Sequence, residues 1–218
     1  MKNFISAIAI LFFCNQIIAQ DLENIKNKNV EDVFNRRKLT GFIGDNYQRI
    51  NILFDFAEKT DSLTYKLTGR SKVKGNICLF EGNLIIDSIS YMQTPVNDEV
   101  LSYNGFLFGH YSLKELGEKN YCGEFKGTFK IAFRIQQGLI LNAIKNITLP
   151  KTLFTSFEGT WSNGNVIKQC NWSGEMDYSV AGLPNDFILP NDAADFIVNP
   201  KYHSFGWSEG WQYEYDFR

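Results

Sequence analysis

The sequence predicts an all-β protein: an antiparallel β-barrel or sandwich of about ten strands behind a short N-terminal helix or leader. Three observations predict it. Apolar residues recur with a period of two, most cleanly in 125–135, where Phe129, Ile131, Phe133 and Ile135 interleave with Lys130, Ala132 and Arg134. The runs are joined by short Gly, Asn and Asp-rich links, and no long helical period intervenes. Aromatic residues reach 15%, from 19 Phe, 10 Tyr and 4 Trp, and such rings suit a pleated, half-buried surface.

Taken in order, residues 1–19 read as a cleavable export signal, with Lys2, an apolar run from Phe4 to Phe13 and a cut after Ala19. The run is too short to span a bilayer, so no transmembrane helix is expected after cleavage. Cys14 follows Leu11-Phe12-Phe13 and lacks the small residue that lipid attachment needs ahead of it, so a lipid anchor is not expected. Residues 20–38 form a leader whose Leu22, Ile25, Val30, Val33 and Phe34 fit a short amphipathic helix.

A single β domain is expected over 39–218. Ile50, Ile52, Phe54 and Phe56 alternate in one strand and Leu63, Tyr65 and Leu67 in the next; weaker runs cover 77–80, 84–91, 101–108, 139–144, 151–161 and 166–172. Turn chemistry at Gly44-Asp45-Asn46, Gly82-Asn83, Gln137-Gly138 and Asn163-Gly164 separates them. Three aromatic-charged-Gly triplets, Phe80-Glu81-Gly82, Phe125-Lys126-Gly127 and Phe157-Glu158-Gly159, suggest places where the sheet curls. Two Leu-Pro-Asn-(Asp) copies mark 182–200 as an irregular ordered loop, and Trp211, Tyr213, Tyr215 and Phe217 alternate as a C-terminal strand.

Charge and motifs exclude more than they assign. A formal charge of −2 provides no basic footprint, so nucleic acid is not an expected partner. No Gly-rich loop joins a strand to a helix and no G-x-S-x-G elbow occurs, so no cofactor is expected and no catalytic residue is assigned to His110 or His203. Asp186, Asp192 and Asp195 offer the hard oxygens that calcium takes, but their spacing matches no calcium loop. Glu158 and Glu175 flank the Trp161 and Trp172 region, as paired acids of a glycan or ester hydrolase would. Trp161, Trp172, Trp207 and Trp211, with Tyr202, concentrate in the last third of the chain and form the candidate ligand-binding set, against the plainer role of filling a core.

The stretches Gly44 to Ile50, Lys72 to Cys78, Phe157 to Trp161 and Lys168 to Trp172 together resemble a set of secreted bacterial β-rich proteins of unknown function, over residues 39 to about 211. The resemblance implies no activity. Three cysteines follow the signal, and spacing leaves any single pairing open; the resemblance implies Cys78 with Cys170, leaving Cys122 free.

The expectation is therefore an exported periplasmic, surface or secreted module, leaning non-enzymatic, that binds a small apolar ligand, a glycan or an envelope protein. The alternatives are a hydrolase using paired carboxylates and, third, an outer-membrane barrel whose last strand is the 211–217 alternation.

Overall fold

In the computed structural model the described residues are 23, 25–97, 101–117, 121–142, 144–145, 155–174, 182–189, 197–208 and 217. Residues 1–19, expected to be an export signal, Trp211, Asp192, Asp195, Glu175 and the alternation at 211–216 lie outside them.

A four-residue helix, α1 (Glu31–Phe34), precedes β1 (Lys38–Ile43), β2 (Gln48–Lys59), β3 (Thr64–Val73), β4 (Asn76–Asn97), β5 (Leu101–Leu116) and β6 (Glu124–Gln136). After β7 (Leu139–Asn142) and β8 (Ile144–Lys145) come β9 (Thr155–Asn163) and β10 (Val166–Gly174). Strands β1 to β6, β9 and β10 pair antiparallel in the order β1-β2-β3-β4-β5-β6-β9-β10, and β10 pairs back with β1 through Ile43 opposite Cys170. The sheet is a closed eight-stranded barrel, with β7 and β8 as additions on β6 and β5. Closure pairs both sides of these eight strands, so their backbone groups are satisfied within the sheet and need no covering helix.

The alternation does the sorting. Ile50, Ile52 and Phe54 from β2, Tyr65 and Leu67 from β3, Leu113 from β5, Phe125 and Phe129 from β6, Phe157 from β9 and Trp172 from β10 are buried in one core. Phe157 stacks on Trp172 at 5.9 Å and Phe125 meets its edge at 5.3 Å. The outer face carries charges, as in Lys66 with Glu81 at 3.3 Å and Arg70 with Asp55 at 2.9 Å.

Gly127 and Gly159 are direct partners across β6 and β9. A Cβ on Gly127 would stand 2.0 Å from the Glu158 carbonyl oxygen, so these strands approach where only glycine fits. The Gly82-Asn83 pair, expected to be a turn, lies instead inside one long strand, β4, with Gly82 between Leu67 and Leu113. The reason is the same, since a Cβ there would meet the Ser112 carbonyl oxygen at 1.9 Å. At Gln137 and Gly138 both φ values are positive, 51° and 79°, as a tight β6–β7 hairpin requires.

The two ends of the barrel differ. At one, the leader enters the core: Ile25, Val30, Val33 and Phe34 are fully buried, and Phe34 packs against Tyr65 at 5.3 Å and edge-on to Phe129 at 5.9 Å. Asn35 and Glu31 accept the Ala57 and Lys59 amides, so the plug is also hydrogen-bonded to β2. At the other end the described residues leave a cavity.

Candidate functional site

The open end gathers the end of β1, the start of β2, the end of β3, the starts of β4, β6 and β10, and the ends of β5 and β9 around a cavity of about 340 Å³. Its apolar walls come from Ile43, Val73, Phe125 and the Trp161 indole, with Lys74, Asn76, Tyr121 and Lys168 also lining it. Glu115 and Ser71 line it too.

Glu115 follows Leu107, Tyr111 and Leu113 along the inward face of β5, so the two-residue period delivers a carboxylate to the core side, where it is 5% exposed. Three donors hold it. Ser71 Oγ donates to Oε1, while Trp161 Nε1 at 2.9 Å and the Gly123 amide at 2.6 Å both donate to Oε2. Burial pushes the carboxyl pKa up from its usual value, and the hydrogen bonds from Ser71, Trp161 and Gly123 oppose that rise without cancelling it. Lys168 Nζ lies 5.5 Å from the centroid of the Trp161 ring, on the cavity side of β10.

The Gly123 amide is placed by a disulfide next to it. Cys78, at the start of β4, is bonded to Cys122 in the β5–β6 connection, with Cα atoms 6.1 Å apart. This corrects the Cys78–Cys170 pairing that the resemblance implied, and leaves Cys170 rather than Cys122 free. Barrel order explains it: β4 pairs directly with β5, bringing the connection after β5 alongside Cys78, whereas β10 stands four strands away across the core. The Glu115 amide also donates to the Gly123 carbonyl at 2.8 Å, and Asn163 donates to the Cys122 carbonyl at 2.8 Å, so the connection is tied to β5 and to the β9–β10 hairpin.

The predicted aromatic set is divided by the fold. Trp161 lines the cavity; Trp172, fully buried, forms the barrel core. Trp207 and Tyr202 belong to a second cluster with Phe42, Phe187 and Val198, in which Trp207 Nε1 donates to the Tyr47 carbonyl at 2.7 Å and Phe187 meets the indole edge at 4.9 Å. That cluster seats 182–189 and 197–208, including the short β11 (Ile188–Leu189) and β12 (Ile197–Val198) pair and a 3-10 turn at Pro200–Phe205, against β1. Gln48 joins it to the mouth by donating to the Phe205 carbonyl at 2.7 Å.

The other candidates are dispersed. The Asp186 carboxylate accepts from Lys201 Nζ and, at 2.9 Å, from Tyr202 OH, and no group of three or more metal-ligating side chains occurs among the described residues. His110 sits on the outer face against Asp87 at 2.9 Å. Glu158 is exposed on the outside of β9, and Glu115 is the one carboxylate among the described residues lining the mouth cavity. Sequence reasoning missed Glu115 and Ser71. The signal that finds both is register: each extends an inward series, Leu107, Tyr111, Leu113, Glu115 and Tyr65, Leu67, Gly69, Ser71.

Comparison with known proteins adds little to this geometry. The chain is 31% identical over 102 residues to a protein named R-phycoerythrin subunit beta from Prochlorococcus marinus subsp. pastoris, a match covering 41% of this chain and 58% of that protein. The chain thus spans less than two thirds of the length of the relative it matches. No protein-family model matches it, and no solved structure gives a significant match.

Proposed function

We propose that the protein is an exported, non-enzymatic binding module that holds a small molecule in the mouth of its barrel. The observation that carries this reading is Glu115. A buried carboxylate costs free energy that an apolar side chain would not, and here it is kept at an open cavity by donors from β3, β9 and a disulfide-bonded connection. Polar groups fixed among apolar walls are what a ligand pocket requires. The opposite end of the same barrel is filled by the leader, so the opening is particular to one end.

The reading rests on the cavity and not on the match to the phycoerythrin subunit. Export is supported by the Lys2, Phe4–Phe13 and Ala19 pattern and by a disulfide suited to an oxidising compartment. Against a paired-carboxylate hydrolase stands the single carboxylate, Glu115, among the described residues lining the mouth cavity, and against a lipid-facing barrel stand the outward Lys66, Glu81, Arg70 and Asp55 and the apolar interior. No helix among the described residues is long and apolar enough to cross a membrane.

A thermal-shift screen of small molecules against wild type and Val73→Trp, which fills the mouth, tests the reading. Compounds that raise the wild-type Tm and leave the variant unmoved are expected; equal shifts in both proteins would place binding elsewhere.

A further inference from the structure

We propose that the ligand of the barrel mouth is a small amphoteric molecule, with a protonated nitrogen directed to Glu115 at the floor and an acidic group left at the rim near Lys74 and Lys168. The proposal rests on the reading of the mouth as a ligand site and specifies its chemistry.

The floor decides the inner end. An ionised carboxylate has about four acceptor positions and no donor. Glu115 fills three of them, with Ser71 Oγ on Oε1 and with Trp161 Nε1 and the Gly123 amide on Oε2. All three donors are neutral, and among the described residues no salt bridge reaches Glu115, although it is only 5% exposed. One acceptor position on Oε1 and one negative charge are left for whatever enters the cavity. A carboxylate or phosphate entering here would meet like charge in a low-dielectric setting, and a purely apolar molecule would leave both unanswered. An ammonium or amidinium group answers both with a charge-assisted hydrogen bond.

The rim decides the outer end. Lys74 and Lys168 both line the cavity and are exposed, Lys74 in the β3–β4 turn and Lys168 on β10. Two cations at an opening repel a bare cation and favour a molecule carrying an anion at its trailing end. Between floor and rim, Phe125, Val73 and the Trp161 indole provide an apolar sleeve that fits a ring or a short hydrocarbon body, and about 340 Å³ restricts it to a small molecule.

A matched series on one ring tests this with the full-length mature protein: 4-(aminomethyl)benzoate, benzylamine, 4-methylbenzoate and 4-methylbenzyl alcohol. Binding is read from the Trp161 indole N–H resonance, whose proton is donated to Glu115. The expected order places 4-(aminomethyl)benzoate tightest, benzylamine next, and the acid and alcohol at least about tenfold weaker than the zwitterion. In Glu115→Gln, which keeps the shape and an acceptor oxygen but not the charge, the amines lose that advantage. In Lys74→Ala/Lys168→Ala the zwitterion falls to the level of benzylamine. The proposal is overturned if the acid or the alcohol binds as tightly as the zwitterion, or if the zwitterion gains nothing over benzylamine; in either case the mouth still binds a ligand and the broader reading stands. If none of the four moves the resonance at millimolar concentration, the pocket reading falls with it.

Discussion

The indole of Trp161 donates its N–H to Glu115 across 2.9 Å, joining β9 to β5 at the open end of the barrel. The bond satisfies a buried donor and a buried acceptor together, so its loss leaves Oε2 with the Gly123 amide alone. Trp161→Phe is expected to cost about 1.5–3 kcal/mol in chemical denaturation, the range for hydrogen bonds to charged groups, and to raise the Glu115 pKa further.

Glu115 also sets a pH dependence. Its pKa is raised in the folded protein by burial, so the native state holds its proton more tightly than the unfolded chain does. Stability from this group is fully present below the unfolded value of about 4.5 and is lost as pH rises through the higher folded value. Glu31, Glu124 and Asp186 have lowered values and act oppositely: their stabilisation is fully present above the unfolded values and is lost as pH falls through the lower folded ones. The difference in unfolding free energy between wild type and Glu115→Gln isolates the first effect: it should move against wild type as pH climbs from 4 to 7, and a difference that does not change with pH would contradict the assignment.

The disulfide encloses a sequence separation of 44 residues, for which chain entropy alone gives about 4 kcal/mol, an upper figure for what its removal costs. Cys78→Ser/Cys122→Ser should therefore unfold at clearly lower denaturant. Cys170 is buried and its thiol pKa is pushed far above the ordinary range by burial, so the native protein should resist iodoacetamide. Peptide mapping after alkylation under denaturing, non-reducing conditions should, of Cys78, Cys122 and Cys170, find the label on Cys170 alone.

Tyr111 makes the reverse prediction. Among the described residues its buried hydroxyl has no hydrogen-bond partner, nor has the buried Trp172 indole N–H, and the two rings lie 5.5 Å apart in the core. Removing an unsatisfied hydroxyl relieves a desolvation cost of about 1–3 kcal/mol, so Tyr111→Phe should be neutral or stabilising in a thermal melt, where an ordinary core truncation destabilises.

The barrel was legible because period-two patterning largely dictates which side of each strand is buried: Phe129, Ile131 and Phe133 lie inward as their spacing implies, whereas Ile135 and Phe56 at the ends of their runs are exposed, Phe56 beyond a register shift after Phe54, and Ala132 is buried. Gly82-Asn83 misled because glycine serves a tight turn and a close strand crossing equally well, and only the partner strand distinguishes them. The site was harder to find. Trp residues draw attention by type, yet Trp172 and Trp207 are spent on two separate cores, while Glu115 is one of 24 acidic residues and is marked out only by the inward register of β5. The disulfide was illegible for a topological reason: β4 and β5 are neighbours in the barrel, a fact that cysteine spacing does not encode.

The most direct test of a ligand site at the barrel mouth is an amide and indole chemical-shift map of the mature protein titrated with a library of small fragments. The predicted shifts converge on the Trp161 indole and the Gly123 and Ser71 amides, and disappear in Val73→Trp. Fragments that leave these three signals still, or that move only the Trp207 cluster, would contradict it.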